Sequence, residues 1–426
     1  MKGPLHCTFS IAAGLLFVPA AVYADPIPER QTLTDDWFGY GPALRDAGVD
    51  LRLEWSQYYQ GMLEGTEMGL TPDENDWRYG GHLDALVRVD LSKWGLWDGL
   101  SATAQGYYNY GESVNGFDGT AFPINSALFF PDIQDTDGAA LVAMYATQNF
   151  GDLWSVSVGK FNNIEAIRYR PIAGGGGVDT FWNLNPAVTS SGLVPAGIYA
   201  AQVSLKTEPV SYFLQLYDPV DAMNKPLFSG MFENGIAVNG AATLKTSIAG
   251  RTGYYGISGS YSTAELVDLS DLLTVGAGED AVAINENFSA KSGAWAVAAT
   301  MQQYLYQDPS DPDRGWGVFG ALTLSDGNPT LLRFSYMFGV GGNSFLPGRE
   351  DDRFGVAFSR FGISDDWKEA ADLVGQTVNN EYTLEAFYNF AVTPWFRITA
   401  DVQWVQPGDG DYPDGVFGGL STYIKF

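Results

Sequence analysis

Cysteine is almost missing from this chain: Cys7 is the single one in 426 residues. Histidine is scarce as well, with only His6 and His82. Basic residues number 23 against 50 acidic ones, a formal net charge of −27. Beyond the first two dozen residues, no apolar run reaches the ~18–20 residues that a membrane helix needs.

Each shortage excludes something. Without paired cysteines there is no disulfide framework and no thiolate chemistry. One histidine and no cysteine beyond the first two dozen residues make poor ligand sets for zinc or haem. A strongly acidic chain lacks the basic footprint that nucleic acid requires. Neither a cofactor nor a metal is therefore expected. The acidic clusters "DEND" (73–76), "REDD" (349–352) and "DGD" (409–411) do not have EF-hand spacing, so solvated loop charge is their first reading, with divalent bridging to lipopolysaccharide second. "AGGGGV" (173–178) lacks the Gly-Lys-Ser/Thr of a phosphate cradle and reads as a flexible loop. "NFS" (287–289) matches a glycosylation acceptor without other support. Hydrolysis through His82 would need an activated serine, and "GISGS" (256–260) fails the nucleophile-elbow pattern at its last position. No enzyme is expected.

What is present is different in kind. The opening "MKGPLHCTFSIAAGLLFVPAAVYA" has Lys2, an apolar core and small residues ending at Ala24. This predicts a signal peptide over 1–24 that carries Cys7 away. Aromatic residues are abundant, with 12 Trp, 23 Tyr and 26 Phe, beside 51 Gly. Read at period two, the rest of the chain falls into about sixteen segments of roughly ten residues. "VDLRLEWSQYY" sets Val49, Leu51, Leu53 and Trp55 against Asp50, Arg52, Glu54 and Ser56. "FRITADVQWV" sets Phe396, Ile398, Ala400, Val402 and Trp404 against Arg397, Thr399, Asp401 and Gln403.

The connections alternate too. Short ones such as 150–153, 207–209, 247–250 and 393–395 exchange with long ones rich in Gly, Pro, Asp and Asn, such as 111–138, 163–198 and 364–380. Three links bend the rule: 306–314 and 341–351 are long where short ones are due, and 325–329 is short where a long one is due. A soluble sandwich would also show period two, and a propeller should show repeats of about 40–50 residues that are absent here. The leader, the alternating loop lengths and the aromatic strand ends favour an all-β fold, a transmembrane antiparallel β-barrel of about sixteen strands over 49–426. Segment 25–48 is expected to form a short N-terminal periplasmic helix, or a plug on the lumen side, ending at Gly48.

Charge then separates the faces. Arg or Lys on the lipid face near the midplane would cost about 2–4 kcal/mol. Arg52, Glu54, Asp84, Arg88, Arg333, Glu385, Arg397 and Asp401, with Lys206 and Lys245, all take the parity opposite the apolar one and are expected to line the lumen. Interleaved charges of both signs suit hydroxyl-rich neutral solutes, which also stack on aromatic rings. Trp77 and Trp182 are the aromatic candidates. The final "VFGGLSTYIKF" is expected to be the closing strand, with Phe426 at the periplasmic interface.

Several stretches resemble the carbohydrate-selective porins, the OprB family. They are "DDWFGYGPALRDAGV" near the start, "WRYGGHLDALVRVDLSKWGLW", "FLPGREDDRFGVAFSRFGIS" and "EYTLEAFYNFAVTPWFRITADVQWVQPG". The resemblance runs from about residue 34 to 426 and is strongest in the last ~110 residues. It implies a sixteen-stranded barrel passing glucose and related small sugars by passive, saturable diffusion through a constriction of Arg, Glu and Trp. Of the constriction residues, only Arg78, in "WRYGG", carries over by motif. The resemblance also places "LPGRE" on the periplasmic side, which accounts for the odd links. It implies a bacterial outer-membrane location, with membrane lipid, lipopolysaccharide and the barrel assembly machinery as partners. Phe426 resembles the family's C-terminal assembly signal, and a monomer and a homotrimer stay open. The main alternative is a general or cation-preferring porin without sugar selectivity. A lipid hydrolase built on His82 is a third reading. A TonB-dependent transporter is disfavoured, because nothing like a plug domain fits before Val49.

Overall fold

The structure, a computed structural model, describes residues 25–65, 77–116, 119–129, 138–174, 178–187, 193–271, 273–275, 282–284 and 289–426. The expected leader at 1–24, the acidic cluster at 73–76, the glycines 175–177 and residues 287–288 of the acceptor match lie outside it. Statements below concern the described residues.

Alternating apolar residues give sixteen strands that pair antiparallel with their neighbours and close into one barrel. In order they are β1 (Val49–Glu64), β2 (Trp77–Asp90), β3 (Leu100–Gly111), β4 (Gly138–Phe150), β5 (Trp154–Asn162), β6 (Gly197–Lys206), β7 (Val210–Tyr217), β8 (Ala237–Ile248) and β9 (Arg251–Ser262). The remainder are β10 (Ala294–Asp308), β11 (Asp311–Ser325), β12 (Leu332–Asn343), β13 (Arg353–Ile363), β14 (Glu381–Ala391), β15 (Phe396–Gln406) and β16 (Gly415–Lys425). Between β9 and β10 lie two small two-stranded ladders outside the barrel, Leu266–Val267 with Ala290–Lys291 and Leu273–Val275 with Val282–Ile284.

Closure is made by β1 and β16, in a register running from Glu54↔Lys425 to Glu64↔Val416. The Phe426 N–H continues this ladder and donates to Leu53 O at 3.0 Å. No strand edge is left for water or lipid to satisfy, which is the condition for crossing a bilayer in extended form.

Parity assigns the faces. Leu214, Ile257, Phe338 and Leu420 are exposed on the outside. Exposed Tyr59, Tyr79, Tyr261 and Trp295 lie towards the rim with the long loops, and Trp94, Trp97, Trp154 and Phe345 towards the rim with the short turns. Such paired aromatic bands mark the two membrane interfaces.

The expected long link at 306–314 is an ordinary hairpin, because the β10–β11 ladder continues to Asp308↔Asp311. The 341–351 link stays long, with nine residues between Asn343 and Arg353, and an Arg349–Asp352 ion pair at 2.6 Å inside it. The N-terminal segment lies against the short-turn rim. It holds a short helix, Gly41–Asp46, and Trp94 Nε1 donates to Ala47 O at 2.9 Å while Trp395 Nε1 donates to Ile27 O at 2.7 Å.

Candidate functional site: the narrowed lumen

Two long-rim connections fold into the barrel. The 163–187 segment starts with a helix, Asn163–Arg168, capped by the Asn162 side chain accepting from Ile164 N. Its apolar part then packs on the inner wall. Ile172, Ala173 and Phe181 join Phe319, Ala321, Met337, Ala357 and Phe387 of β11–β14 in one buried cluster. Phe181 meets the Phe387 ring edge-on at 4.8 Å. That approach depends on Gly355, where a Cβ would come within 2.6 Å of Phe181 and 2.4 Å of Phe387.

Polar groups fix the same segment. Glu385 accepts the backbone N–H groups of Trp182 and Asn183, and the Asn183 side chain donates to Gln403 at 3.0 Å. The other segment, 112–129, is joined to the first: Ser126 N donates to Trp182 O at 2.8 Å, and Leu184 N to Pro123 O at 3.1 Å. Its Ala121 N–H reaches Glu381 at 2.6 Å, and Phe122 lies 4.3 Å from Phe361.

This filling leaves an eccentric conduit. An open cavity of about 830 Å³ runs between the inserted segments and the wall of β3–β11. Its wall side is neutral and polar: Thr103, Thr147, Gln202, Gln215, Asn239 and Ser260 are among the residues lining it. Gln105, Glu165 and Tyr169 line its inner side and tie to a cluster of charge that stands behind them. Arg52 pairs with Asp84 at 2.8 Å and Glu165 at 2.6 Å. Arg168 pairs with Glu54 and, at 3.4 Å, with Asp84, and donates to Tyr423 Oη at 3.0 Å. Gln105 Nε2 bridges Asp84 and Glu165. Burial works to raise the pKa of Glu165, but Arg52 and Arg168 outweigh it and hold the carboxyl below the ordinary glutamate range. Tyr169, 67% exposed, stands at the cluster's edge with its hydroxyl on Glu165 at 2.8 Å.

The sequence candidates therefore divide. Arg52, Glu54 and Asp84 meet in one cluster. Glu385 and Asp401 sit together with Gln403 behind the inserted segment, fully shielded from the cavity in the case of Glu385. Arg78 faces inward nearer the long-loop rim and pairs with Glu112 at 3.1 Å. Arg88 lies exposed towards the short-turn rim, and Arg397 there donates to Asn389 at 2.8 Å. Arg333 is at the long-loop rim, exposed and paired with Asp365. Trp77 is on the outer face, stacked on Tyr59 at 4.9 Å, because neighbours on a strand point to opposite sides and Arg78 takes the inner one. Trp182 is inside the barrel but fully buried, edge-on to Tyr58 at 5.3 Å, and offers no face to the conduit. A Cβ on Gly419 would stand 3.0 Å from its ring. His82 is buried, with Nδ1 on Asn109 Oδ1 at 2.6 Å.

Sequence reasoning missed Glu165, Arg168 and Tyr169, which lie on a connection rather than a strand. The available signal was "NNIEAIRYRP" (162–171), a stretch of both charges at helical spacing inside a Gly- and Pro-rich loop.

Comparison with known proteins accords with this geometry. The family model described as "Carbohydrate-selective porin, OprB family" matches residues 74–426. Among solved structures, the high-pH structure of Pseudomonas putida OprB is similar at TM-score 0.78 and 20% identity, covering 94% of this chain and 99% of that one. The low-pH structure of the same protein gives TM-score 0.54 and 17% identity, with the same coverage. At these identities the likeness concerns the fold. No curated protein sequence matches the chain.

Proposed function

The chain belongs to the OprB family of carbohydrate-selective porins, and on that premise we propose that small uncharged sugars are selected along the conduit between the amide- and hydroxyl-bearing wall and the Glu165 and Tyr169 side chains, which the Arg52–Arg168 cluster holds in place. It is an outer-membrane channel and not an enzyme, and carbohydrates are its substrates. The observation that carries the proposal is the division of the lumen into a neutral polar wall and a compensated charge cluster.

A sugar entering the conduit trades water for these groups. Amides and hydroxyls both donate and accept, so they match hydroxyls in many orientations without holding any one tightly. The exposed Tyr169 ring offers an apolar surface to a pyranose face. Glu165 and Gln105 present polar atoms already fixed by Arg52 and Asp84 behind them, so little reorganisation is needed when a hydroxyl arrives. Transport is downhill, and saturation follows from a short residence at this point.

A second reading, cation preference, rests on the cluster's composition: two arginines face the three carboxylates Glu54, Asp84 and Glu165. Liposome swelling with glucose, a sugar phosphate and a panel of amino acids separates the two. Glucose should enter several-fold faster than solutes of similar mass, and millimolar glucose should reduce single-channel current. Equal rates across the panel, with current untouched by glucose, would leave the cation-preferring reading in place.

A further inference from the structure

Six polar side chains on neighbouring strands stand in one row. Thr147 of β4 is in register with Ser157 of β5, Ser157 with Gln202 of β6, and Gln202 with Gln215 of β7. Gln215 is in register with Asn239 of β8, and Asn239 with Ser260 of β9. All six line the open cavity, so the row faces the conduit from end to end. Hydrogen bonds join it in pairs: Thr147 Oγ1 with Ser157 Oγ at 2.8 Å, Gln215 Nε2 to Gln202 Oε1 at 3.4 Å, and Ser260 Oγ to Asn239 Oδ1 at 3.3 Å.

The inward rows beside it are broken. On the long-loop side the same strands bring Tyr145, Gly159, Ala200, Tyr217, Ala237 and Ser262 into register, with no polar group on three of them. On the short-turn side Phe213 and Ala241 interrupt a row that starts with Asn149, Ser155 and Ser204. The row between is polar on every strand from β4 to β9, and none of its members is charged.

Geometry makes this row a ramp. Neighbouring strands lie about 4.8 Å apart, so five steps span about 24 Å. The row crosses the strands at right angles, and strands of such barrels tilt by about 35–45°, so its two ends differ in depth by about 15 Å, more than half of an apolar band about 25 Å tall. A single small ring would engage one or two of these groups. Aromatic rings are spread along the same path. Tyr145, half-buried and stacked on Phe161 at 4.7 Å, is the next inward residue to Thr147, and half-buried Phe213 is the next to Gln215. Tyr169 faces the cavity from the inserted segment.

We propose that this row is a track for short unbranched oligosaccharides, which lie along it with several sugar units engaged at once. The proposal rests on the sugar-selective reading of the same conduit and extends its substrate class from single rings to linear chains. Side-chain amides and hydroxyls both donate and accept, so successive hydroxyls of a chain can exchange one partner for the next without a charged group to hold them. The strand spacing is close to the repeat of linked pyranoses, which keeps neighbouring units in step with neighbouring strands. The separated rings of Tyr145, Tyr169 and Phe213 offer faces to different units.

The test uses the full chain in planar bilayers, with glucose and unbranched 1,4-linked glucose oligomers of two to five units as probes. Affinity is read from sugar-induced current noise, and folding from heat-dependent mobility on gels. Affinity should rise with chain length and be at least tenfold higher for the pentamer than for glucose. N239A/S260A shortens the row at the end away from β3, where Gln105 and Tyr169 meet Glu165. It should cut the pentamer-to-glucose affinity ratio at least fivefold. If the double variant fails to fold, N239A alone should cut that ratio at least twofold. Equal affinity across the wild-type series, or equal losses for glucose and pentamer in the variant, overturns the track. Glucose that binds while the pentamer binds no tighter sinks the track and leaves the monosaccharide reading standing. Length-dependent binding of the oligomers with no effect of glucose does the reverse.

Discussion

At the scale of single residues, the charges beside the conduit compensate one another. Arg168 is the keystone of its cluster, because it contacts Glu54, Asp84 and Tyr423 together. Removing one partner of a buried ion pair leaves the others uncompensated, at about 3–5 kcal/mol. Arg168→Gln is therefore expected to raise the cation-to-anion permeability ratio several-fold and to abolish the effect of glucose on current; reversal potentials in a salt gradient measure the first. Tyr169 is a different case, because its ring faces open space. Tyr169→Ala should weaken glucose binding in the pore roughly two- to tenfold, the range for losing one stacking contact of about 0.5–1.5 kcal/mol, with little change in ion selectivity. Titration of glucose-induced current noise reads this directly.

Acid offers a third residue-scale test. The Glu165 carboxyl is held below the ordinary glutamate range, so its charged form is favoured in the folded channel. The sign follows. The stabilisation that Glu165 gives the inserted helix is complete above the ordinary glutamate pKa and is lost as pH falls through the depressed one. The effect of glucose on current should be constant from pH 7 down to pH 5 and disappear only below about pH 4. Loss already near pH 6 would show that another group controls the site.

At the scale of elements, the connection after β5 (163–174 and 178–187) narrows the barrel lumen. It is held by apolar packing on β11–β14 at one end and by arginine–carboxylate pairing on β1–β2 at the other. The first depends on absent side chains, since Phe181 occupies space that Gly355 leaves. Gly355→Val should force the segment off the wall at a cost of about 1–3 kcal/mol for overpacking, while the barrel ladder itself persists. The expected result is a larger single-channel conductance with less discrimination among sugars, and unchanged strand content by circular dichroism.

At the scale of the whole molecule, closure decides stability and assembly. Every barrel strand has two neighbours, and Phe426 is bonded into the β1–β16 seam through its N–H and Leu53 O. We expect deletion of Phe426 to reduce the yield of inserted barrels much more than the conductance of those that do insert. Quantitative gels of membrane fractions, compared with single-channel records, check this; normal yield would dissociate the terminal ring from assembly.

Legibility follows the same scales. The strands could be read from the chain because period two is a local property: lipid on one side and water on the other impose it on each strand separately. Arg52, Glu54 and Asp84 were legible as inward residues for that reason. Their meeting was not, since it depends on the β1–β2 register and on two side chains, Glu165 and Arg168, that arrive from over a hundred positions away. Trp77 shows the converse limit. Its type suggested sugar stacking, yet parity alone sends it outward beside Arg78.

The sequence by itself determined the barrel, its approximate strand number, its inner and outer faces and its closing strand, because each follows from alternation that a bilayer enforces residue by residue. Only the tertiary structure decided which part of the lumen stays open. That depends on where two long connections find apolar wall and carboxylates to bind, and such contacts between distant segments leave no period in the chain.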